Sequence, residues 1–203
     1  MGGIDRLISN ALLSEIKKKM DLELLHKVER ELFLEHGMSI KLSIEHFQKF
    51  TSVLKKNSSL DVSKFERDCL DKIIRIKESN EKYFVTIINP ILSDSILELF
   101  GEYDSRCIIT TLLDKEYTIP QILKESKAPK TSGYRKIENM MINGLIVETG
   151  KVLSESKKIS KLQCVFQEIN LDIKKGKTVV NGIIPKKIME KSSSVKSILQ
   201  TLE

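Results

Sequence analysis

Two prolines and a glycine constrain one short stretch of this chain more tightly than any other feature of it. Thr118-Ile119-Pro120-Gln121 places a hydroxyl three residues ahead of a glutamine, the spacing at which each side chain satisfies the other's free backbone donor. Proline is tolerated beside it, because first-turn N–H groups have no helical partner to lose. A helix therefore starts near Ile119 and ends near Ser126, since Pro129 disfavours helical geometry at Ala128. The next helix begins within about three residues and runs from Lys130 to Asn143, where Gly144 can take the left-handed conformation that closes it. The stretch is committed to helix, tight turn, helix.

The second of these helices has two chemically different sides. Ile137, Met140 and Met141 fall on one, while Lys130, Thr131, Arg135, Lys136 and Asn139 fall largely on the other. Lys127 and Ser132 add a cation and a hydroxyl at its start. Such residues suit a polyanion: phosphate oxygens accept from free N–H groups and from lysine or arginine, and base edges match fork-shaped donors. Tyr134 has two open readings, stacking on a sugar-phosphate backbone or packing against its own domain.

After Gly144 the apolar period becomes two. Leu145 to Leu153 reads as a strand, and Leu162, Cys164 and Phe166 alternate with polar residues in the next. Ser154-Glu155-Ser156-Lys157-Lys158 lies between them, so the pair makes a hairpin with a basic tip, and Lys157, Lys158 and Lys161 can reach a neighbouring phosphate backbone or minor groove. The alternation then slips phase towards Ile169, Leu171 and Ile173, which predicts a bulge or bend near Gln167 and Glu168. Lys174-Lys175-Gly176-Lys177 turns the chain into a last strand, Thr178 to Ile184. Between Lys124 and Lys161 nine cations face four acids, a net +5 that accounts for most of the chain's +6.

Residues 1 to about 85 read as successive helices, because their apolar residues recur at spacings of three and four. Leu22, Leu25, Val28 and Leu32 mark one face; Ile44, Phe47, Phe50 and Leu54 mark a second. A further helix is predicted from Ser63, three residues before Glu66, with the stripe Phe65, Cys69, Ile73 and Ile76. Pro90 forces a change of element and sets a domain boundary near residues 80 to 92. Ser95 to Phe100 and Ser105 to Leu113 are short helices around Gly101.

The expected architecture is mainly α with a small β-hairpin wing (α+β). It comprises an N-terminal helical domain over 1–85, a winged helix-turn-helix domain over 93–184 and a basic tail over 185–203. Val195, Ile198, Leu199 and Leu202 give that tail helical spacing, while Ser192-Ser193-Ser194 leaves its order open.

Several function classes drop out. No apolar run approaches the roughly 20 residues of a membrane span, and the N-terminus lacks the charge order of a secretory signal, so a cytoplasmic protein without membrane contact is expected. Cys69, Cys107 and Cys164 are widely spaced and odd in number, which suits three small buried side chains better than a disulfide framework or metal site. His26, His36 and His46 are too far apart to share a helical turn, so no metal or cofactor is expected. No phosphate loop, serine elbow or supported carboxylate pair is visible, so the chain reads as a non-enzyme.

The segment Ser126-Lys-Ala-Pro-Lys-Thr-Ser-Gly-Tyr-Arg-Lys-Ile137, followed by Asn143-Gly-Leu-Ile146, resembles the recognition region of archaeal ArsR-like winged helix-turn-helix transcription regulators. Asp104-Ser105-Arg106 with Ile108 resembles the preceding helix, and the likeness spans about residues 93 to 184. It implies double-stranded DNA as partner, transcription regulation and a homodimer. The cysteine box of the family's metal-sensing branch is absent, and Gly133 replaces a bulkier residue, which is expected to loosen the recognition helix. Glu35-His-Gly-Met-Ser-Ile40 through Phe47 to Leu54 is similar to a small helical domain of ammonia-oxidising archaea, the Nitrosopumilus output domain, which implies an effector, a protein partner or assembly at the N-terminal part.

The expected DNA contacts are Lys127, Lys130, Thr131, Ser132, Tyr134, Arg135, Lys136 and Asn139, with Lys157, Lys158 and Lys161 on the adjacent backbone. The alternative is a protein-interaction adaptor that uses the same domain as a docking surface.

Overall fold

The computed structural model describes residues 3–79, 81–154, 157–195 and Leu199. Five helices occupy the first seventy residues: α1 (Gly3–Lys19), α2 (Leu22–His36), α3 (Ile40–Glu45), α4 (Phe47–Asn57) and α5 (Val62–Leu70). They are followed by β1 (Ile74–Ser79), β2 (Lys82–Ile87), α6 (Pro90–Gly101), α7 (Tyr103–Leu112), α8 (Ile119–Ser126) and α9 (Lys130–Ile142). The chain ends in β3 (Ile146–Ser154), β4 (Lys157–Cys164), β5 (Glu168–Lys174), β6 (Lys177–Pro185) and α10 (Lys186–Met189).

Polar caps set most helix starts. The side chains of Asp21, Ser39, Asp61 and Asn89 each accept a hydrogen bond from a backbone N–H three residues on, satisfying donors the helix leaves free. α5 therefore starts at the Asp61 cap rather than at Ser63. Pro90 occupies the first turn of α6, where its missing N–H costs nothing. Leu25, Val28 and Leu32 are buried as their spacing predicts, while Leu22, at the first position of α2, is exposed. Ile44, Phe47, Phe50 and Leu54 are all buried, but on two helices, because the backbone breaks at His46 (φ −119°, ψ 55°).

The expected helix through Ile76 is a misreading. α5 stops at Leu70, and Ile74-Arg-Ile-Lys, apolar and polar in alternation, forms a strand instead. Ile73 and Ile76 satisfy helical spacing from Cys69, yet β-branched residues at period two prefer the pleated conformation when a partner strand is present. That partner is β2, and β2 in turn pairs with β6 from Lys82 opposite Pro185 to Ile87 opposite Val180. The result is an antiparallel sheet in the order β1-β2-β6-β5, of which the sequence announced only β5 and β6. It joins strands from both sides of the boundary expected near residues 80 to 92. The fold is α+β, with more strand than a hairpin wing.

α1 packs across this sheet. Ile4, Leu7 and Ile8 meet Ile74, Val85, Ile87, Phe166, Ile184 and Met189 along one apolar seam. Beside them the buried carboxylate of Asp5 accepts hydrogen bonds from the Ser192 hydroxyl and from the N–H and hydroxyl groups of Ser193 and Ser194. The expected tail is thus anchored through the fully buried Val195; residues 196–198 and 200–203 lie outside the described residues.

Cys69 and Cys164 are buried, and burial pushes each thiol up to about 12. Cys107 is half-buried, so the expectation of three buried cysteines holds for two. No described helix is long and apolar enough to cross a membrane.

Candidate nucleic-acid interface

The junction of α8 and α9 follows from its local chemistry. The Thr118 N–H donates to Gln121 Oε1 at 2.9 Å, one half of a reciprocal cap that starts α8. Lys127 ends it in the left-handed region (φ 56°, ψ 19°), and Pro129 leads directly into α9. Gly133 lies buried at the crossing of the two helices. A Cβ there would stand 2.3 Å from Leu123 Cδ2, so the glycine that reads as loosening α9 is what admits α8 at this distance.

The far end of α9 is held by α1. The Arg6 guanidinium donates to the Met141 carbonyl at 3.1 Å, beside the Gly144 N–H that donates to the same oxygen, and pairs with Glu45 at 3.3 Å, a cation placed at the negative end of the helix. Gly144 follows at φ 74°, and a Cβ on it would fall 2.5 Å from both the Gly3 oxygen and the Leu7 nitrogen. α1 thus meets α9 at its C-terminal end and leaves its outer side open.

On that outer side Lys130, Thr131, Tyr134, Arg135 and Asn139 are exposed, with exposed Lys127 just upstream. Ser132 is half-buried, its hydroxyl donating to the Pro129 carbonyl at 3.4 Å. Tyr134 retains 49% of its surface. The amide oxygen of Asn139 accepts from Asn143 at 3.0 Å, so its amide nitrogen is the better-placed group for an outside acceptor. Among the described residues, Lys127, Lys130, Arg135, Lys157, Lys158 and Lys161 have no ion-pair partner.

Lys136 departs from the expected set. Its Nζ lies 2.9 Å from Glu102 and 2.9 Å from Asp104, and only 19% of its side chain is exposed. Position 136 sits at the edge of the packed stripe, three residues from Gly133 and four from Met140, and so faces the corner between α6 and α7. Hydrogen bonds to Asp104 and Glu102 hold the ammonium above its ordinary range, and the bond to Lys136 holds the Glu102 carboxyl below its own. Lys136 is a tether inside the protein rather than an outward cation. The acids that claim it lie some thirty residues upstream, where nothing local marks them as its partners. Glu98, Glu102 and Glu138 line an open groove of about 730 Å3 between α6 and α9 together with Arg135 and Lys136.

The β3–β4 ribbon is fastened to the helices by Tyr117 and Leu162, which exchange backbone hydrogen bonds at 3.0 and 2.8 Å. Its register runs to Ser154 opposite Lys157, with a bulge between Glu148 and Gly150. Glu155 and Ser156, expected at the tip, lie outside the described residues. Lys157 and Lys158 belong to β4 rather than to a loop, because the strand pairing continues to the end of the ribbon. Alternation puts Lys157 and Lys161 on one face and Lys158 on the other, so the three straddle the ribbon. Both end lysines are exposed and Lys161 is half-buried opposite Gly150. The phase slip expected at Gln167 and Glu168 is where the chain leaves the ribbon for the four-stranded sheet.

No protein-family model, curated protein or solved structure matches this chain.

Proposed function

We propose that this chain is a sequence-specific, homodimeric DNA-binding transcription regulator in which α7, α8 and α9 with the β3–β4 ribbon act as a winged helix-turn-helix. One observation carries the reading: the N-terminal half of α9 projects cations and short polar side chains, the cations without an ion-pair partner among the described residues, beside a ribbon that carries three more lysines. The resemblance to ArsR-like regulators supports it from the sequence side.

In this reading α9 enters a major groove N-terminus first. No side chain caps its start at Pro129, so its first-turn N–H groups remain available to a phosphate oxygen. Lys127 and Lys130 add charge there, while Thr131, Arg135 and Asn139 offer donors to base edges. Lys157 and Lys161 meet the neighbouring backbone from one face of the ribbon and Lys158 from the other. Lys136 makes no contact with DNA and sets the angle of α9 through Glu102 and Asp104.

Selection of bound sequences from a random duplex pool tests this directly. A palindromic motif is expected, because a symmetric dimer reads two equivalent half-sites. Recovery of no preferred sequence, with no duplex retained at low salt, would end the reading.

A second reading is favoured by one feature. Ile142 is 64% exposed on α9 beside the groove lined by Glu98, Glu102 and Glu138 with Arg135 and Lys136, a partly apolar surface of mixed charge suited to a protein segment. An adaptor of this kind would hold a protein partner stably and ignore duplex DNA.

A further inference from the structure

β5 forms one open edge of the four-stranded sheet, and β1 forms the other. β5 has seven residues, Glu168-Ile-Asn-Leu-Asp-Ile-Lys174, with no proline and no bulge in its pairing with β6. Such an edge invites another strand unless it is protected. Ile173 is 65% exposed at its end, although Ile169 and Leu171, on the same face, pack against the core.

The backbone decides which groups are on offer. Lys174 pairs with Lys177 across the two-residue turn Lys175-Gly176, both turn residues having positive φ (45° and 76°). A turn of this type closes on a hydrogen-bonded pair, so the N–H and C=O groups of residues 174, 172, 170 and 168 point towards β6. Those of Ile173, Leu171 and Ile169 therefore point outward.

The order of side chains matches a two-fold axis through Leu171. When β5 meets its own copy antiparallel, Leu171 stands opposite Leu171, Ile169 opposite Ile173 and Asn170 opposite Asp172. These pairs are compatible: apolar with apolar, amide with carboxylate. The three outward-facing residues fall opposite one another in this register, so each pair can exchange both its N–H and C=O bonds. β1 offers no such match. Its outward groups belong to residues 74, 76 and 78, because the Ile73 carbonyl accepts from the Ile88 N–H across the strand pair, and an axis through Ile76 sets Arg75 against Lys77. Like charges in direct opposition disfavour that pairing.

We propose that β5 is the dimerisation edge of this protein and that its occupant is β5 of a second copy, producing a continuous eight-stranded sheet across a two-fold axis. The proposal deepens the homodimer in the regulator reading, but it rests on the strand alone and does not require DNA.

Sedimentation equilibrium of the full chain tests it, with amide hydrogen exchange as a second readout. A dimer is expected at micromolar concentration, with slow exchange at Ile169, Leu171 and Ile173. Ile173→Pro removes an outward N–H, a change an edge strand tolerates on its open side. The dissociation constant should rise at least about tenfold while the helical signal is unchanged. Should that variant misfold, charge exchange decides. Asn170→Asp alone sets like charges opposite each other and weakens the dimer, and Asn170→Asp with Asp172→Lys restores it. A wild-type monomer throughout the micromolar range overturns the proposal, as does a dimer indifferent to these changes or one whose three amides exchange at solvent rates. A dimer with no affinity for any duplex keeps this pairing and removes the DNA reading; duplex binding by a strict monomer does the reverse.

Discussion

The two halves of α9 hold their charged side chains in different ways. In the first half Lys130 and Arg135 are exposed without an ion-pair partner among the described residues, beside Thr131 and Tyr134. In the second half Lys136 is held by Glu102 and Asp104, Glu138 faces the groove, and Arg6 donates to the closing carbonyl of Met141. Adjacent positions on a helix point about 100° apart, so Arg135 and Lys136 face water and protein respectively. One half is presented and the other is built in, which is the arrangement a helix needs if its tip is to press on a ligand without being displaced.

The comparison breaks most severely at Gly144. Gly144→Ala would force a left-handed residue to carry a Cβ into the backbone of α1. It should cost about 3 kcal/mol of stability in urea unfolding and free the built-in half of α9. An unchanged midpoint would mean that α1 does not seat against this turn.

A smaller effect separates presentation from support. Lys127→Ala with Lys130→Ala should lower the slope of log affinity against log salt for duplex DNA by about two, roughly one per lost phosphate contact, and leave stability within about 0.5 kcal/mol. Lys136→Met should do the opposite, leaving the salt slope as it is and lowering the melting temperature. If Lys136→Met lowers the slope as much as Lys130→Ala does, the ion-paired lysine turns outward on binding.

The smallest effect lies in pH. The Glu102 carboxyl is held below its ordinary 4.5, so its share of stability is present above that value and is lost as pH falls through the lower folded value. The Lys136 ammonium is held above 10.5, so its share is present below that value and is lost as pH rises through the higher folded value. The stability difference between wild type and Lys136→Met should therefore be flat between these limits and shrink below 4.5 and above 10.5. Urea unfolding at acid, neutral and alkaline pH would show it, and a difference that persists in acid would point to packing of the lysine stem instead.

How legible each part was depended on how far apart its partners lie in the chain. The cap at Thr118, the stop before Pro129, the end at Gly144 and the hairpin from Leu145 onward arise between residues a few positions apart, and all were readable. The strand nature of Ile74-Arg-Ile-Lys was not, because Ile76 also continues the three-and-four spacing of Phe65, Cys69 and Ile73, and only β2 and β6 supply the sheet that decides between the two periods. Gly133 read as a weakness because only the approach of Leu123 shows what it makes room for.

Local patterning by itself determined where the helices around Pro129 begin and end, that one side of α9 is polar, and that a twisted pair of strands follows. Packing alone decided which of its cations faces outward, that Asp5 binds serines 187 to 189 residues away, and that β2 and β6 share a sheet. Capping, turn geometry and periodicity are interactions among neighbours and are written in order along the chain. The choice of a distant partner depends on which surfaces the collapsed core brings within hydrogen-bonding distance, and no single stretch of residues encodes it.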